Sequence, residues 1–587
     1  MFFVYIDFEF KFKEGERPEP ICFVLQDSRS KVYFQYWHTE FSQGQKHLTE
    51  LLSTGGVLVA FNAVAEISCL LALNWPVPLY ALDFMVEFKL SQNGLGGNKA
   101  PSLLDVLKHY HLASIDKETK TVMREKAQQA QFTATEKQEM LGYCQSDVES
   151  LSRLHAAMYR AGDFPIEQLP YALNRGAYMV AVACMEHVGI PFDRPYFEAL
   201  KTHWESFKEE RVLSINTITQ KVFKETFFLN NVFNEETFRQ VIDRTYIDWP
   251  KTDFGKVKHD DDTLKDMSKI DPRLKPIREG LQLVGRLKKF DLFLGQDSRA
   301  RCSLWPYSSR TGRNQPGKGF VFILPSYLRS LIQAPSGWAV SYLDFSQQEF
   351  AIAAVLSSDP AMIADYCSGD TYIGFGKRIE YVPEWATKKT HPRKREILKQ
   401  ILLAIQYGMG HRSLALRLGV PIGEAAAILE AHKRAYPLFW KWSETIPVYS
   451  YATGAIQTLY GWKMTVGDRT NRRTLLNYPM QANGGEILRR SCISLVRAGI
   501  EVCAPVHDAL LIAYPVACSE ALGIARELMV KASSEVLKGF PLRVGEETFA
   551  HPKHFIDQRE AKDPEKVDTL AELRKFFVRK GLSHELE

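Results

Sequence analysis

The sequence predicts a multidomain protein of the α/β class. Three observations carry that expectation. The chain has 587 residues, enough for about three or four domains. Over residues 1–165, apolar strand-like runs alternate with helical stretches, the pattern of an α/β layer architecture. After a mainly helical middle, a strand-like run (WAVSYLDF) and a helix-like run (EFAIAAVL) follow each other again.

Each element follows in order. FFVYIDFEF and GGVLVAFNA read as strands, and EKQEMLGYCQSDVESLSRLHAAMYR as a long helix. Residues 170–300 are mainly helical, with charged stretches such as KHDDDTLKDMSK. A polar, turn-rich piece, YSSRTGRNQPGKG, precedes WAVSYLDF, and residues 370–440 are helical again. In GIEVCAPVHDALLIAYP, β-rich runs flank His507–Asp508, which predicts a hairpin. The last stretch, KDPEKVDTLAELRKFFVRKGLSHELE, reads as an amphipathic charged helix.

Composition narrows the class. The hydrophobic share of 45% and the charged share of 24% are ordinary for a globular protein. No apolar run reaches the ~18 residues of a membrane span. The first residues, MFFVYIDFEF, lack a basic leader and carry acids early, so they predict a strand rather than a signal peptide. A cytoplasmic location is expected. A net charge of +5 is too small to establish a nucleic-acid partner, although a basic groove fits within a nearly neutral total. Nine cysteines without a CxxC pair point to reduced thiols. GLGGNK at 94–99 lacks the P-loop spacing and a following Ser or Thr, so it predicts a surface loop and no motor.

The chemistry-bearing residues fall into two groups. In REILKQILLAIQYG, Arg395, Lys399, Leu403 and Tyr407 recur every fourth residue and form one slowly drifting helix stripe. Its cations lie in the N-terminal half, where the helix dipole favours anions. A triphosphate suits Arg395 and Lys399, and a base suits Leu403 and Tyr407. Alone, the stripe is as well read as a solvated basic face. Asp344 closes a strand, and Asp508 sits in the expected hairpin. Two such carboxylates suffice for a two-metal transfer centre. In the second group, Asp7 and Glu9 are two apart on a strand and share a face. Asn62 and Glu66 follow in FNAVAE, and Tyr143 and Asp147 lie one helical turn apart in YCQSD.

The ordered combination DFSQQE, RxxxK with a following YG, and VHD resembles the polymerase domain of DNA polymerase I-like, family A enzymes. TGRNQP at 311–316 and NYPMQ at 477–481 also match segments of that family, and the likeness covers about residues 300–560. The resemblance implies Asp344 and Asp508 as metal-binding aspartates and Arg395 and Lys399 as triphosphate contacts. It puts Tyr407 beside the templating base and makes Glu349 the gate against a ribose 2′ hydroxyl, supported by Gln347. It gives Arg313, Arg473, Asn477 and Gln481 contacts to primer–template and sets His507 near the primer end. Three positions depart from the family. Leu403 replaces a Phe or Tyr, Tyr372 a phosphate-binding His, and Ala509 a Glu.

Residues 1–165, with Asp7, Glu9, Glu66, Tyr143 and Asp147, resemble a DEDD-type 3′–5′ proofreading exonuclease with a tyrosine in its last motif. Glu66 stands where Asp is usual. The likeness implies metal binding by Asp7, Glu9 and Asp147, Tyr143 orienting the attacking water, and Asn62 contacting the DNA strand.

The implied fold is a ribonuclease H-like exonuclease domain (1–165) followed by a right-hand polymerase domain. That domain comprises a helical thumb (166–300), the first part of the palm (301–369), helical fingers (370–440), the second part of the palm (441–560) and a charged tail (561–587). Arg286, Lys288 and Lys289 in VGRLKKF are expected to meet phosphates. No 5′ nuclease domain is expected ahead of the first strand.

The implied function is template-directed addition of dNTPs to a primer with 3′–5′ proofreading, in phage or mobile-element replication. Two Mg²⁺, or Mn²⁺, ions per site are expected. The partners would be primer–template DNA, dNTPs and replication accessory proteins, with no membrane, and the chain is expected to be a monomer. An alternative is an exonuclease whose polymerase half only holds DNA. A refinement, the polymerase of a phage genome containing 2-aminoadenine, is selected by no residue.

Overall fold

The computed structural model describes residues 1–96, 101–113, 116–244, 249–252, 255–285, 290–324, 326–556 and 575–579. The chain divides into two compact units. The first comprises Met1–Pro191, Gly295–Gly317 and Ala334–Lys553. The second comprises Phe192–Leu294, Lys318–Gln333 and His554–Glu587.

A five-stranded mixed sheet organises the start of the first unit. Its central strand, Phe2–Lys11, pairs antiparallel with Glu19–Asp27 and parallel with Gly56–Ala60. Tyr33–Trp37 and Ala81–Asp83 form the two edges. Val4, Ile6 and Phe8 are buried on one side of the central strand. That alternation turns Asp7 and Glu9 to the opposite side, where both are partly exposed.

The expected long helix spans Ala134–Ala161. A capping box between Thr133 and Glu136 starts it, and Gly162, with φ 76°, ends it in the left-handed region. Its buried residues include Met140, Tyr143, Cys144, Asp147, Val148, Leu151 and Leu154. Three- and four-residue spacing packs that face on the sheet and carries Tyr143 and Asp147 toward Asp7.

A second sheet has four antiparallel strands in the order Glu501–Val506, Ala509–Pro515, Trp338–Phe345, Val544–Ala550. The Asp344 strand is thus internal, and Ala339 to Leu343 are buried along it. The helices Arg472–Arg497 and Glu520–Val536 pack against each other. The predicted hairpin is present, with His507 and Asp508 as its two-residue turn.

The second unit is largely helical. Its longest helix, Arg194–Phe223, is capped by Asp193. It buries Phe197, Trp204 and Phe207, and its Arg211 meets Glu279 of the helix Lys275–Val284 at 2.6 Å. The helix Leu169–Val188, expected with the thumb, belongs to the first unit. There Arg175 makes a buried bidentate pair with Glu87, at 2.8 and 2.6 Å. Arg286, Lys288 and Lys289, the second half of GLGGNK (97–99) and most of 561–587 lie outside the described residues. Within the tail, 575–579 is helical and buries Phe576 and Phe577. Among the described residues, no helix is long and apolar enough to cross a membrane.

Candidate active sites

Asp344 and Asp508 meet at one end of the second sheet. Asp344 is the penultimate residue of its strand and stands opposite Ala509, the residue after Asp508. The Phe345 N–H donates to the Asp508 carbonyl at 3.2 Å. His507 holds φ 58° in the intervening turn, a left-handed conformation that costs a non-glycine residue free energy. Ala509 is fully buried in the ladder.

The stripe lies on the helix Pro392–Gln406, with Tyr407 as its C-cap. Gly408, at φ 70°, turns the chain away. Arg395 Nε donates to Asp370 Oδ2 at 2.5 Å, and its guanidinium lies 5.1 Å from the Tyr372 ring. Burial raises the Tyr372 hydroxyl to about 12, Arg395 opposes that rise, and Asp370 and Asp508 are among the nearby charges. Lys399 is partly buried and makes no ion pair among the described residues.

At the other end of the stripe, the Tyr407 hydroxyl donates to the Glu349 carboxylate. Gln406 Nε2 donates to the Glu349 carbonyl at 2.7 Å, and Arg313 approaches the carboxylate at 3.6 Å. Burial first, then the Glu349 charge, pushes the Tyr407 hydroxyl far up, and the Gln481 side chain hydrogen-bonds it. Gln347 turns from strand to helix at φ 47° and accepts from Arg543 at 3.0 Å.

The segment carrying Arg313 is fixed from behind. Arg489 Nη1 donates to the Gly312 carbonyl at 2.6 Å, and Trp462 Nε1 to the Arg310 carbonyl at 2.9 Å. Arg313 Nε donates to the Gln481 carbonyl at 3.1 Å. Arg473, Asn477 and Gln481 recur every fourth residue on the helix Arg472–Arg497. Asn477 Oδ1 is buried without a hydrogen-bond partner among the described residues.

The second cluster gathers around Asp7. Burial first, then the Asp147 charge, raises the Asp7 carboxyl to about 8. Burial and then Asp7 hold both Glu9 and Glu66 well above the usual carboxylate range. Glu66, on the helix Val64–Ala72, is only 4% exposed, and its Oε2 has no hydrogen-bond partner among the described residues. Burial also raises Asp147, against the pull of Lys120, whose Nζ donates to Asp147 Oδ2 at 3.0 Å. Tyr143 sits one turn before Asp147, and burial and that carboxylate push its hydroxyl up. Four crowded carboxylates, one of them with an orphaned buried oxygen, are a donor set that suits divalent cations, for which the Lys120 ammonium on Asp147 is a competitor.

Asn62 lies beside this cluster through its backbone. It holds φ 69°, and its N–H donates to Asp83 at 3.3 Å. Asp83 also accepts from Ala63 and Val86, at 2.7 and 3.1 Å, and so fixes the approach to the Glu66 helix.

Sequence reasoning missed Lys120, Asp83, Cys144 and Asp370. Asp370 precedes a helix and caps it through the Ile373 N–H at 3.1 Å, a local role that hides its pairing with Arg395 in the sequence. Lys120 lies in KETKTVMREK, which resembles any solvated helix.

Both the fold and the linear motifs find counterparts among known proteins. Residues 324–548 match the model of DNA polymerase family A. A thermostable DNA polymerase I of Thermus thermophilus is 28% identical over 220 residues, 35% of this chain and 26% of that protein. The DNA polymerase of Mycobacterium phage D29 is 27% identical over 319 residues, 51% of each chain. That of Mycobacterium phage L5 is 26% identical over 262 residues, 43% of this chain and 42% of that one. These matches thus span from about a quarter to about half of the relatives' length. The fold is that of the POL domain of Pol1 from M. smegmatis, solved with DNA primer–template and dNTP. The likeness has a TM-score of 0.71 at 17% identity and covers 93% of this chain and 94% of that one.

Proposed function

We propose that this chain is a template-directed DNA polymerase with a 3′–5′ proofreading centre in its first 165 residues. The observation that carries this reading is the convergence of Asp344 and Asp508 at one strand end, with Tyr372 of the Arg395 pair close enough to feel the Asp508 charge. Arg395 and Lys399 bind the triphosphate of an incoming dNTP. Glu349, held by Tyr407, closes the space a ribose 2′ hydroxyl needs. Arg313, Arg473, Asn477 and Gln481 hold the primer–template, and His507 flanks the primer end. In the other centre Asp7, Glu9, Glu66 and Asp147 receive a frayed 3′ end, and Tyr143 orients the attacking water. Asn62 contacts that strand. When bound, divalent cations, Mg²⁺ in our reading, activate the attacking oxygen and neutralise phosphate charge at both sites.

The similarity to two phage polymerases supports a role in phage or mobile-element replication. On this reading the protein works as a monomer in the bacterial host cytoplasm, alongside replication accessory proteins. One observation favours a second reading, in which the polymerase half only holds DNA. The residue after Asp508 is Ala509 rather than an acid.

A primer–template assay separates the two. The intact protein is run beside Asp344→Ala and Asp7→Ala, with and without dNTPs. Extension lost only in Asp344→Ala, and shortening lost only in Asp7→Ala, supports both centres. Shortening without extension leaves the second reading. Extension without shortening removes the proofreading centre.

A further inference from the structure

Gln348 buries a primary amide beside Glu349. It opens the helix Gln348–Ser357 and is 1% exposed. Among the described residues, neither its Oε1 nor its Nε2 has a hydrogen-bond partner. A buried amide left unpaired carries its full desolvation cost, which an apolar side chain of the same shape avoids. Such a group in a native fold calls for a reason. The motif gives roles to Gln347 and Glu349 but none to Gln348.

Gly484 locates the reason. A methyl built there would lie 2.6 Å from Gln348 Oε1 and 3.0 Å from Arg313 Nη2. An acceptor and a charged donor thus border one small space, and the glycine keeps it clear. Arg313 is held at one end. Its Nε donates to the Gln481 carbonyl at 3.1 Å, whereas its Nη2 comes only within 3.6 Å of Glu349 Oε1, too far for a hydrogen bond. Its side chain is 27% exposed, so the guanidinium can pivot on the Nε bond. Tyr407 holds the Glu349 carboxylate without it.

We propose that Gln348 is a positioning residue for Arg313. When primer–template binds, Arg313 Nη2 leaves the Glu349 carboxylate and donates to Gln348 Oε1. That bond sets the guanidinium against the DNA and leaves the Glu349 carboxylate to Tyr407. The charge on the donor makes it stronger than a bond between neutral groups. The inference rests on reading Arg313 as a primer–template contact, and it adds the residue that holds Arg313 there.

The test is a double-mutant cycle in the affinity of the full chain for a labelled primer–template. Fluorescence anisotropy reads it, without dNTPs or divalent ions. Gln348→Leu removes both amide atoms and keeps most of the volume. It should weaken binding about tenfold in the otherwise wild-type chain, the effect of one charged hydrogen bond. In an Arg313→Ala background it should change binding less than about twofold. Gln348→Met repeats the cycle with an unbranched side chain and guards against poor packing of leucine. Urea unfolding of the free protein is the second readout. The midpoints of both apolar variants should equal or exceed that of the wild type, because the amide is unpaired before DNA binds.

Equal losses with and without Arg313 overturn the proposal, as does full affinity in both apolar variants. A midpoint lowered by both variants also overturns it, because the amide then has a structural partner in the free protein. The polymerase reading is judged separately by primer extension with Mg²⁺ and dNTPs. Extension without coupling between Gln348 and Arg313 sinks this inference alone, and coupling without extension sinks only that reading.

Discussion

At the scale of single residues, two carboxylates set the geometry of the proposed nucleotide face. Asp370 accepts from Arg395 Nε and leaves the two terminal nitrogens of the guanidinium for phosphate oxygens. Asp370→Asn should therefore raise the KM for dNTP about tenfold, the effect of about 1.4 kcal/mol, with a smaller change in kcat. Steady-state kinetics read it. A lowered KM would instead make Asp370 a competitor of the triphosphate. Glu349 is the other carboxylate. Tyr407, Gln406 and Arg313 hold it, so its position does not depend on the substrate. Glu349→Ala should increase ribonucleotide use relative to dNTP about tenfold or more, measured by single-nucleotide incorporation. Unchanged discrimination would remove the gate. Asp344, Asp508 and Glu349 were legible in the sequence because short linear motifs fix both residue and register. The partner of Arg395 was not, because it lies 25 residues away and a helix cap already accounts for it. Cys144 sits inside the quoted YCQSD, yet burial alone would explain a thiol there, and only the fold reveals the carboxylate beside it.

At the scale of elements, the helix Arg472–Arg497 carries the residues proposed to face DNA and packs on the second sheet. Its Gly484 has no room for a side chain. A Cβ there would lie 2.6 Å from Gln348 Oε1 and 3.0 Å from Arg313 Nη2. Gln348 is 1% exposed, so it has little freedom to withdraw. Gly484→Ala should cost about 1–3 kcal/mol by overpacking and displace Arg313. Urea unfolding should show the loss, and an unchanged midpoint would mean that the helix shifts to accommodate the methyl. The expected strands and long helices were found, because apolar runs and capping residues are local signals. The helix Leu169–Val188, expected with the thumb from chain order, lies in the first unit. There it packs on the helix Val64–Ala72 and the strand Ala81–Asp83 and carries the buried Arg175–Glu87 pair, which joins residues 88 apart. No local pattern announces such a pair.

At the scale of the whole molecule, pH acts through buried imidazoles. Burial lowers His155 from the usual value near 6.5 to about 4. Between those values the unfolded chain binds a proton that the folded chain does not. Stability therefore falls as pH drops through that window, by up to about 3 kcal/mol for this group. His155 Nδ1 lies 2.7 Å from the Tyr5 hydroxyl, and His155→Gln keeps an acceptor there while removing the titration. Its melting temperature should fall less steeply than that of the wild type between pH 6.5 and 4.5. Parallel slopes would place the acid sensitivity elsewhere.

The strand order of the second sheet also governs how the protein comes into being on a ribosome. The strand Trp338–Phe345 takes one neighbour from Ala509–Pro515 and the other from Val544–Ala550. During translation it emerges with both edges bare, the form most prone to pairing with a stranger. It stays so until nearly all of the second sheet has been synthesised. Any nascent product that stops short of Ala550 carries Asp344 without its complete surroundings. A cell that makes this protein therefore completes the surroundings of Asp344 in one late step, and stalled translation leaves fragments with bare strand edges.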